Sequence, residues 1–303
     1  MKSQLSPKEF GEATGVSESS VKRWIDAGLI ASTRTAGGHR RIAIEEAVRY
    51  VRENRLRVLK PQALGLADVT EREIDLNDPR LAHRALSHAL QTGLAPQARG
   101  IILSLYLGGQ SVAAIADGPI AAAMHEIGEL WKKSPAGVHV EHRATDICLQ
   151  AVAQLRTLLP PPADDAPIAV GAAPTGDPYL LPTMLAAATL VDEGWRAVNL
   201  GPQTPFDVLS LAIGEYEARL VWLSITARQK PDWITGEVAN LARYLGQRRG
   251  FLIVGGRETP RPFVASADNL HIGQAMAELA AFARGVRQLH HSLPHPTHHA
   301  AAT

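Results

Sequence analysis

Thr33-Arg34-Thr35-Ala36-Gly37-Gly38-His39-Arg40-Arg41-Ile42 reads as a β-hairpin with a Gly-Gly tip and basic flanks. Two glycines tolerate the positive φ that a tight hairpin turn demands. Upstream, Ser6-Pro7-Lys8-Glu9 places a capping hydroxyl, a first-turn proline and a first-turn acid in the order that starts a helix, and Gly15 stops it. Ser17 then caps a second helix over residues 19–27, which Gly28 ends. On that helix Val21, Trp24 and Ile25 share one face, with Trp24 read as core, while Ser19, Ser20, Lys22 and Arg23 share another. A further helix covers Glu45–Asn54. Two short helices meeting at a glycine turn, followed by a basic hairpin, form a winged helix-turn-helix that puts its second helix in the major groove of DNA. In such an arrangement Ser20, Lys22 and Arg23 are expected to face the groove, and Arg34, His39, Arg40 and Arg41 to contact the phosphate backbone.

Charge agrees with that division. The 303 residues carry 31 Lys+Arg against 30 Asp+Glu. Residues 1–60 hold 12 basic and 7 acidic side chains, and residues 61–303 hold 19 and 23, so a basic head sits on an acidic body. With 46% hydrophobic and 20% charged residues the chain buries cores, which excludes global disorder. A lone cysteine, Cys148, excludes an intramolecular disulfide and a Cys-cluster zinc site. No apolar run approaches the ~18 residues of a membrane span. Met1–Ser6 leads into a polar helix and not into a signal-peptide core, so a cytoplasmic location with no membrane partner is expected.

The body divides in two. Residues 79–93, 95–107, 111–131 and 140–158 are helical patterns separated by short Gly- and Pro-bearing turns, the layout of a four-helix bundle spanning 75–159. Trp131 ends the third pattern and Glu141-His142 opens the fourth. An indole and an adjacent Glu-His pair at the mouth of a bundle suit the cap of a flat ligand, with the imidazole as metal ligand or proton donor; ordinary packing and helix-end roles suit the same residues. After a proline-rich linker, 160–167, the strands Ile168–Ala172, Ala197–Leu200, Leu220–Ile225 and Phe251–Val254 are each followed by a helical pattern. That alternation is a doubly wound parallel sheet of the flavodoxin-like, Rossmann type over 168–288. Its ligand crevice lies at the strands' carboxyl ends, where Ser224, Thr226, Gly255 and Gly256 supply hydroxyls and exposed backbone to a buried ligand tail. The segment 289–303 holds five of the twelve histidines and reads as a disordered tail.

Helix, turn, helix and then Gly-Gly-His-Arg-Arg resembles the DNA-binding domain of the MerR family of transcription regulators over residues 5–56. With Trp131 and Glu141-His142 on a bundle, and Ser-x-Thr and Gly-Gly on a flavodoxin-like domain, the whole order resembles the CarH/LitR family of cobalamin-dependent photoreceptor repressors. The resemblance implies double-stranded DNA with a palindromic operator as partner, self-association into a dimer or tetramer, and adenosylcobalamin as cofactor. It also implies that Trp131, Glu141 and His142 cover the upper face of the corrin, with His142 as upper cobalt ligand after light. The family's lower-face motif, Asp/Glu-x-His-x-x-Gly, stands here as Asp177-Pro178-Tyr179-Leu180-Leu181-Pro182. Tyr179 therefore replaces the cobalt-binding histidine, and a phenol with a pKa near 10 must lose its proton before it binds a metal well. Asp177 is expected to be left beside that phenol.

Three readings follow: cobalamin held without a lower protein ligand, another small molecule or tetrapyrrole in the same crevice, or a ligand-free oligomerisation scaffold. An enzymatic role is not expected. No nucleophile with a recognisable local context and no phosphate-binding glycine loop is present, and the length leaves no room for a substrate barrel.

Overall fold

The computed structural model describes residues 3–69, 76, 78–131, 135–261, 263 and 267–291. The head opens with Gln4–Leu5 (β1), Pro7–Thr14 (α1) and Glu18–Asp26 (α2), followed by the hairpin Thr33–Arg34 (β2) and Arg40–Ala43 (β3), then Ile44–Glu53 (α3). Local chemistry sets these bounds. Ser6 Oγ accepts from Glu9 N (3.2 Å) while Ser6 N donates to Glu9 Oε2 (2.6 Å), a complete capping box, and Gly15 closes α1 at φ 73°. At the hairpin tip Gly38 takes φ 76° and its N–H donates to Thr35 O (2.8 Å). The sequence reading did not foresee β1, whose two residues pair with β3.

A 3-10 turn, Pro61–Leu64, folds back on α1, with Leu59 N and Lys60 N both donating to Ala13 O. The bundle follows as Pro79–Thr92 (α4), Ala95–Leu107 (α5), Val112–Ile115 (α6), Ala121–Trp131 (α7) and Pro135–Arg156 (α8). The third pattern, expected as one helix over 111–131, is interrupted: Ala116–Ile120 is π-helical with Pro119 inside it. A proline there removes one amide donor, and the wider π turn absorbs its ring. The fourth helix begins at Pro135, five residues before the expected start.

The last part alternates Ile168–Pro174 (β4), Leu180–Asp192 (α9), Arg196–Thr204 (β5), Phe206–Glu215 (α10), Leu220–Ser224 (β6), Pro231–Gly246 (α11), Phe251–Gly255 (β7), Leu270–Ile272 (β8) and Met276–His291 (α12). The five strands are all parallel in the order β5-β4-β6-β7-β8, so the connections reverse direction at β4. A crevice opens at such a reversal. The sequence reading missed β8, and α12 runs to His291, so the first three residues of the expected tail are helical. Residues 292–303 lie outside the described residues.

One apolar cluster runs from Leu5 and Phe10 in the head, through Leu86, Ile102 and Val152 in the bundle, to Leu181, Leu185 and Ala188 on α9. Each of those α9 positions follows the last by three or four residues, so one stripe of the helix faces the bundle. Two carboxylates pin the layers reciprocally. Asp117, in the π-helical stretch, accepts from Met276 N (2.7 Å) and Ala277 N (2.8 Å) at the start of α12. Asp192, at the end of α9, accepts from Val112 N (2.9 Å) at the start of α6 and from Tyr106 Oη (3.2 Å). Each satisfies orphan amides at a helix start on the neighbouring layer, where the helix dipole favours negative charge.

Candidate nucleic-acid interface and ligand crevice

Ser17 caps α2 by accepting from Ser20 N (3.2 Å), and its hydroxyl also meets those of Ser19 and Ser20 (2.9 Å each). The inner face of α2 packs on α1: Val21 is fully buried, and Trp24 reaches Tyr50 of α3 with the rings tilted and their centroids 5.0 Å apart. Its outer face is left to Lys22, paired with Glu18 (2.8 Å), and to Arg23, which donates to Ser20 Oγ (3.3 Å). Arg34 and His39 are exposed on the wing, and Arg41 is half-buried opposite Thr33. Arg40 departs from expectation. Its guanidinium donates to Asp26 Oδ1 (2.6 Å) and to Lys22 O (3.2 Å), and its side chain is only 20% exposed. It ties the wing to α2 instead of standing free for phosphate, because β3 runs beside the end of that helix.

At the carboxyl ends of the strands Asp177 is fully buried and spent on backbone amides. Oδ1 accepts from Tyr179 N (3.1 Å), and Oδ2 accepts from Thr226 N and from Ala227 N (2.9 Å). Its own carbonyl accepts from Gln203 N (3.0 Å), so one residue of the loop after β4 is tied to the end of β5 and to the loop after β6. The expectation that Asp177 is left beside a phenol is corrected: the Tyr179 side chain is 41% exposed while the carboxylate faces amides. Three buried polar atoms at this edge, Thr226 Oγ1, Gln229 Nε2 and Thr259 Oγ1, have no protein partner. Unsatisfied groups of that kind suit a polar ligand or bridging water.

Behind this edge a cavity of about 140 Å³ lies between the sheet and α9 and α12, bounded by Ala186, Trp222, Ser224, Ile253, Gly255 and Met276, with Asp117 at its bundle side. Ser224, Gly255 and Gly256 all line it. Gly256 sits at φ 115°, where a β-carbon would come within 2.2 Å of Ile225 O, so only glycine closes that turn. The sequence reading missed Trp222, Thr183 and Asp117. The available signal for Trp222 was an oversized aromatic on a strand whose neighbour carries Gly171.

On the bundle, Glu141 Oε2 lies 3.6 Å from His142 Nε2 and Glu141 Oε1 accepts from Thr145 Oγ1 (3.2 Å), while the His142 side chain is three-quarters exposed. The side chain of Trp131 lies outside the described residues. Among the described residues no group of three or more His, Cys, Asp or Glu is placed to hold a metal ion. No helix among them is long and apolar enough to cross a membrane.

Residues 6–42 match the model of the MerR family regulatory protein, and residues 82–156 match that of the B12 binding domain. No curated protein matches the chain significantly. Among solved structures, the monomethylamine corrinoid protein of Methanosarcina barkeri aligns over 68% of this chain and 99% of its own, at 13% identity and a TM-score of 0.51. A cobalamin-binding protein of Desulfitobacterium hafniense covers 73% of this chain and 99% of its own at 18% identity, with a TM-score of 0.34. The methanol:cobalamin methyltransferase complex of Methanosarcina barkeri covers 78% and 88% at 13% identity, with a TM-score of 0.35. The first of these supports the fold of bundle and sheet, and with the two family matches the chain combines a MerR family helix-turn-helix with a B12-binding domain, the CarH-like architecture.

Proposed function

We propose that this chain is a transcription regulator and not an enzyme, acting on cytoplasmic DNA. In this reading the head, residues 1–60, grips a palindromic duplex. The bundle (75–159) and the sheet domain (168–288), joined by 160–167, sense a small molecule held where they meet. The carrying observation is the exposed Lys22–Arg23 face of α2 beside a wing that Arg40 locks in place. Two half-sites need two heads, so the ligand acts by setting how many copies assemble, a dimer or a tetramer.

The B12-binding match over 82–156 supports a corrinoid as the ligand class, with Glu141, His142 and Trp131 on its bundle side and Ser224, Thr226, Gly255 and Gly256 at the crevice. A corrinoid anchored from below by a protein nitrogen does not fit these residues. Tyr179 offers a phenol, Asp177 is already satisfied by amides, and the crevice is small.

The test is fluorescence anisotropy on a duplex that the full chain selects from a random pool, with sedimentation, with and without adenosylcobalamin, in the dark and after illumination. Specific binding that adenosylcobalamin or light changes together with the assembly state supports the reading. Binding indifferent to both, with unchanged assembly, leaves the body as a scaffold.

A further inference from the structure

Trp222 is 2% exposed on the face of β6 that α9 and α12 cover. Its indole lies over the backbone of Gly171, the residue paired with it on β4: a β-carbon there would approach Trp222 Cδ2 to 2.0 Å. The ring is also fixed at its edge, since Nε1 donates to Thr183 Oγ1 (2.9 Å), and Thr183 Oγ1 in turn lies 2.9 Å from Asn199 Oδ1. A bicyclic heteroaromatic is therefore built into the wall of the crevice, seated on glycine and hydrogen-bonded through its N–H. The space left beside it is about 140 Å³. An apolar cavity of about 150 Å³ holds one benzene ring. A benzimidazole carrying a ribose is much larger. The opening is narrowed further where Asp117 holds the first amides of α12 against the bundle.

We propose that Trp222 occupies the space a corrinoid's nucleotide base needs, so that the crevice of this chain excludes that base. The inference rests on the corrinoid reading above only for its consequence: a cobalamin bound here keeps its own benzimidazole on cobalt. Tyr179 agrees independently, because a chain that supplies no nitrogen ligand from below has no use for a displaced base. Three residues thus have one reading toward the ligand. Trp222 fills, Thr183 fixes the filling, and Tyr179 leaves the cobalt's lower position to the cofactor.

The experiment has two arms on the full chain. In the first, thermal unfolding of wild type, Trp222→Gly and the milder Trp222→Leu is followed with and without free 5,6-dimethylbenzimidazole. The ligand is expected to leave the wild type unshifted. It is expected to raise the midpoint of either folded variant by several degrees, as a binder of the native state does, with at least about tenfold tighter binding than to wild type. Stabilisation of the wild type, or no rescue of a folded variant, overturns the proposal.

In the second arm, cob(II)alamin and its nucleotide-free counterpart cobinamide are added to 15N-labelled protein, and electron paramagnetic resonance reads whether the cofactor's own 14N remains on cobalt, since 14N splits the signal into triplets and any protein 15N into doublets. A 14N triplet from cobalamin that co-elutes with the wild-type protein supports the proposal, and its loss on binding overturns it. If wild type binds neither corrinoid, the ligand class under Proposed function falls, while base exclusion is still decided by the first arm. Tyr179→His alone is expected to keep the cofactor's nitrogen on cobalt, and Tyr179→His with Trp222→Gly to release it. Release by Tyr179→His alone overturns the role of Trp222.

Discussion

The guanidinium of Arg52, on α3 of the head, lies 3.6 Å from the centroid of the Tyr106 ring on α5 of the bundle. It also donates to the carbonyl oxygens of Tyr106, in the last turn of that helix, and of Gln110, in the turn that follows it. The Tyr106 hydroxyl meets Asp192 of the sheet domain, and Asp192 holds the first amide of α6. One tyrosine, 1% exposed, therefore touches all three layers. α6 runs directly into the π-helical stretch that carries Asp117 to the crevice, so head and crevice are linked by a short series of packed, hydrogen-bonded groups.

Loss of Arg52 removes a cation–π contact and takes one donor from each of two carbonyls, of which Tyr106 O keeps the Gly109 amide. Arg52→Ala is expected to destabilise the chain by about 2 kcal/mol in urea unfolding. It is also expected to loosen the head, seen as a larger radius in small-angle scattering. Arg52→Lys, which keeps charge but loses the planar fork, should recover less than half of this. An unchanged radius with Arg52→Ala would show that the shared apolar cluster alone holds the head.

Tyr106 gives a pH signature. Burial first, and the neighbouring Asp192 charge second, push its phenol above the ordinary value, with Arg52 acting in the opposite direction. The folded state therefore keeps the proton that the unfolded chain loses near pH 10, so Tyr106 contributes its stability below that pH and loses it as pH rises further. Tyr106→Phe should flatten the alkaline fall in stability relative to wild type. It should also cost about 1 kcal/mol at neutral pH for the lost hydrogen bond to Asp192.

The head was readable because its signals are local. Ser6, Pro7, Glu9, Gly15 and Ser17 act within one turn of themselves, and Gly37-Gly38 shapes its own hairpin. The four long strands were readable as apolar runs. The three-residue strand Leu270–Ile272 was not, since Leu-His-Ile alternates too briefly to carry a period. Asp117 capping a helix that begins 159 residues later, and Arg52 reaching Tyr106 across 54, leave no local trace. The site was legible in part for the same reason. Ser224 and the glycine pair end strands, whereas Trp222 matters only because the register sets it against Gly171.

Wing and recognition helix are separable by salt. Arg34 and Arg41, assigned to phosphates, should each lower the slope of log affinity against log salt by about one when changed to alanine. Arg40 is held by Asp26, so Arg40→Ala should weaken binding by misplacing the wing with a smaller change of slope. Asp26→Asn should free Arg40 and steepen the slope. Anisotropy titrations between low and moderate salt decide it, and a slope for Arg40→Ala as reduced as that for Arg41→Ala makes Arg40 a phosphate contact.

Gly171→Ala tests the seat of the crevice indole directly. The new methyl cannot coexist with Trp222 where it lies, and Thr183 on α9 holds the ring's other edge. Neither strand can yield, since β4 and β6 are paired on both sides within the sheet. The substitution should cost roughly 1 to 3 kcal/mol by overpacking, and near-ultraviolet circular dichroism should report the displaced indole. Thr183→Val should cost about 1 to 3 kcal/mol differently, by leaving the buried indole N–H without an acceptor. Combined with Trp222→Leu, which removes both the bulk and the donor, each cost should shrink to less than half. Full additivity in that double-mutant cycle would mean that Gly171 and Thr183 are set by something other than the indole between them.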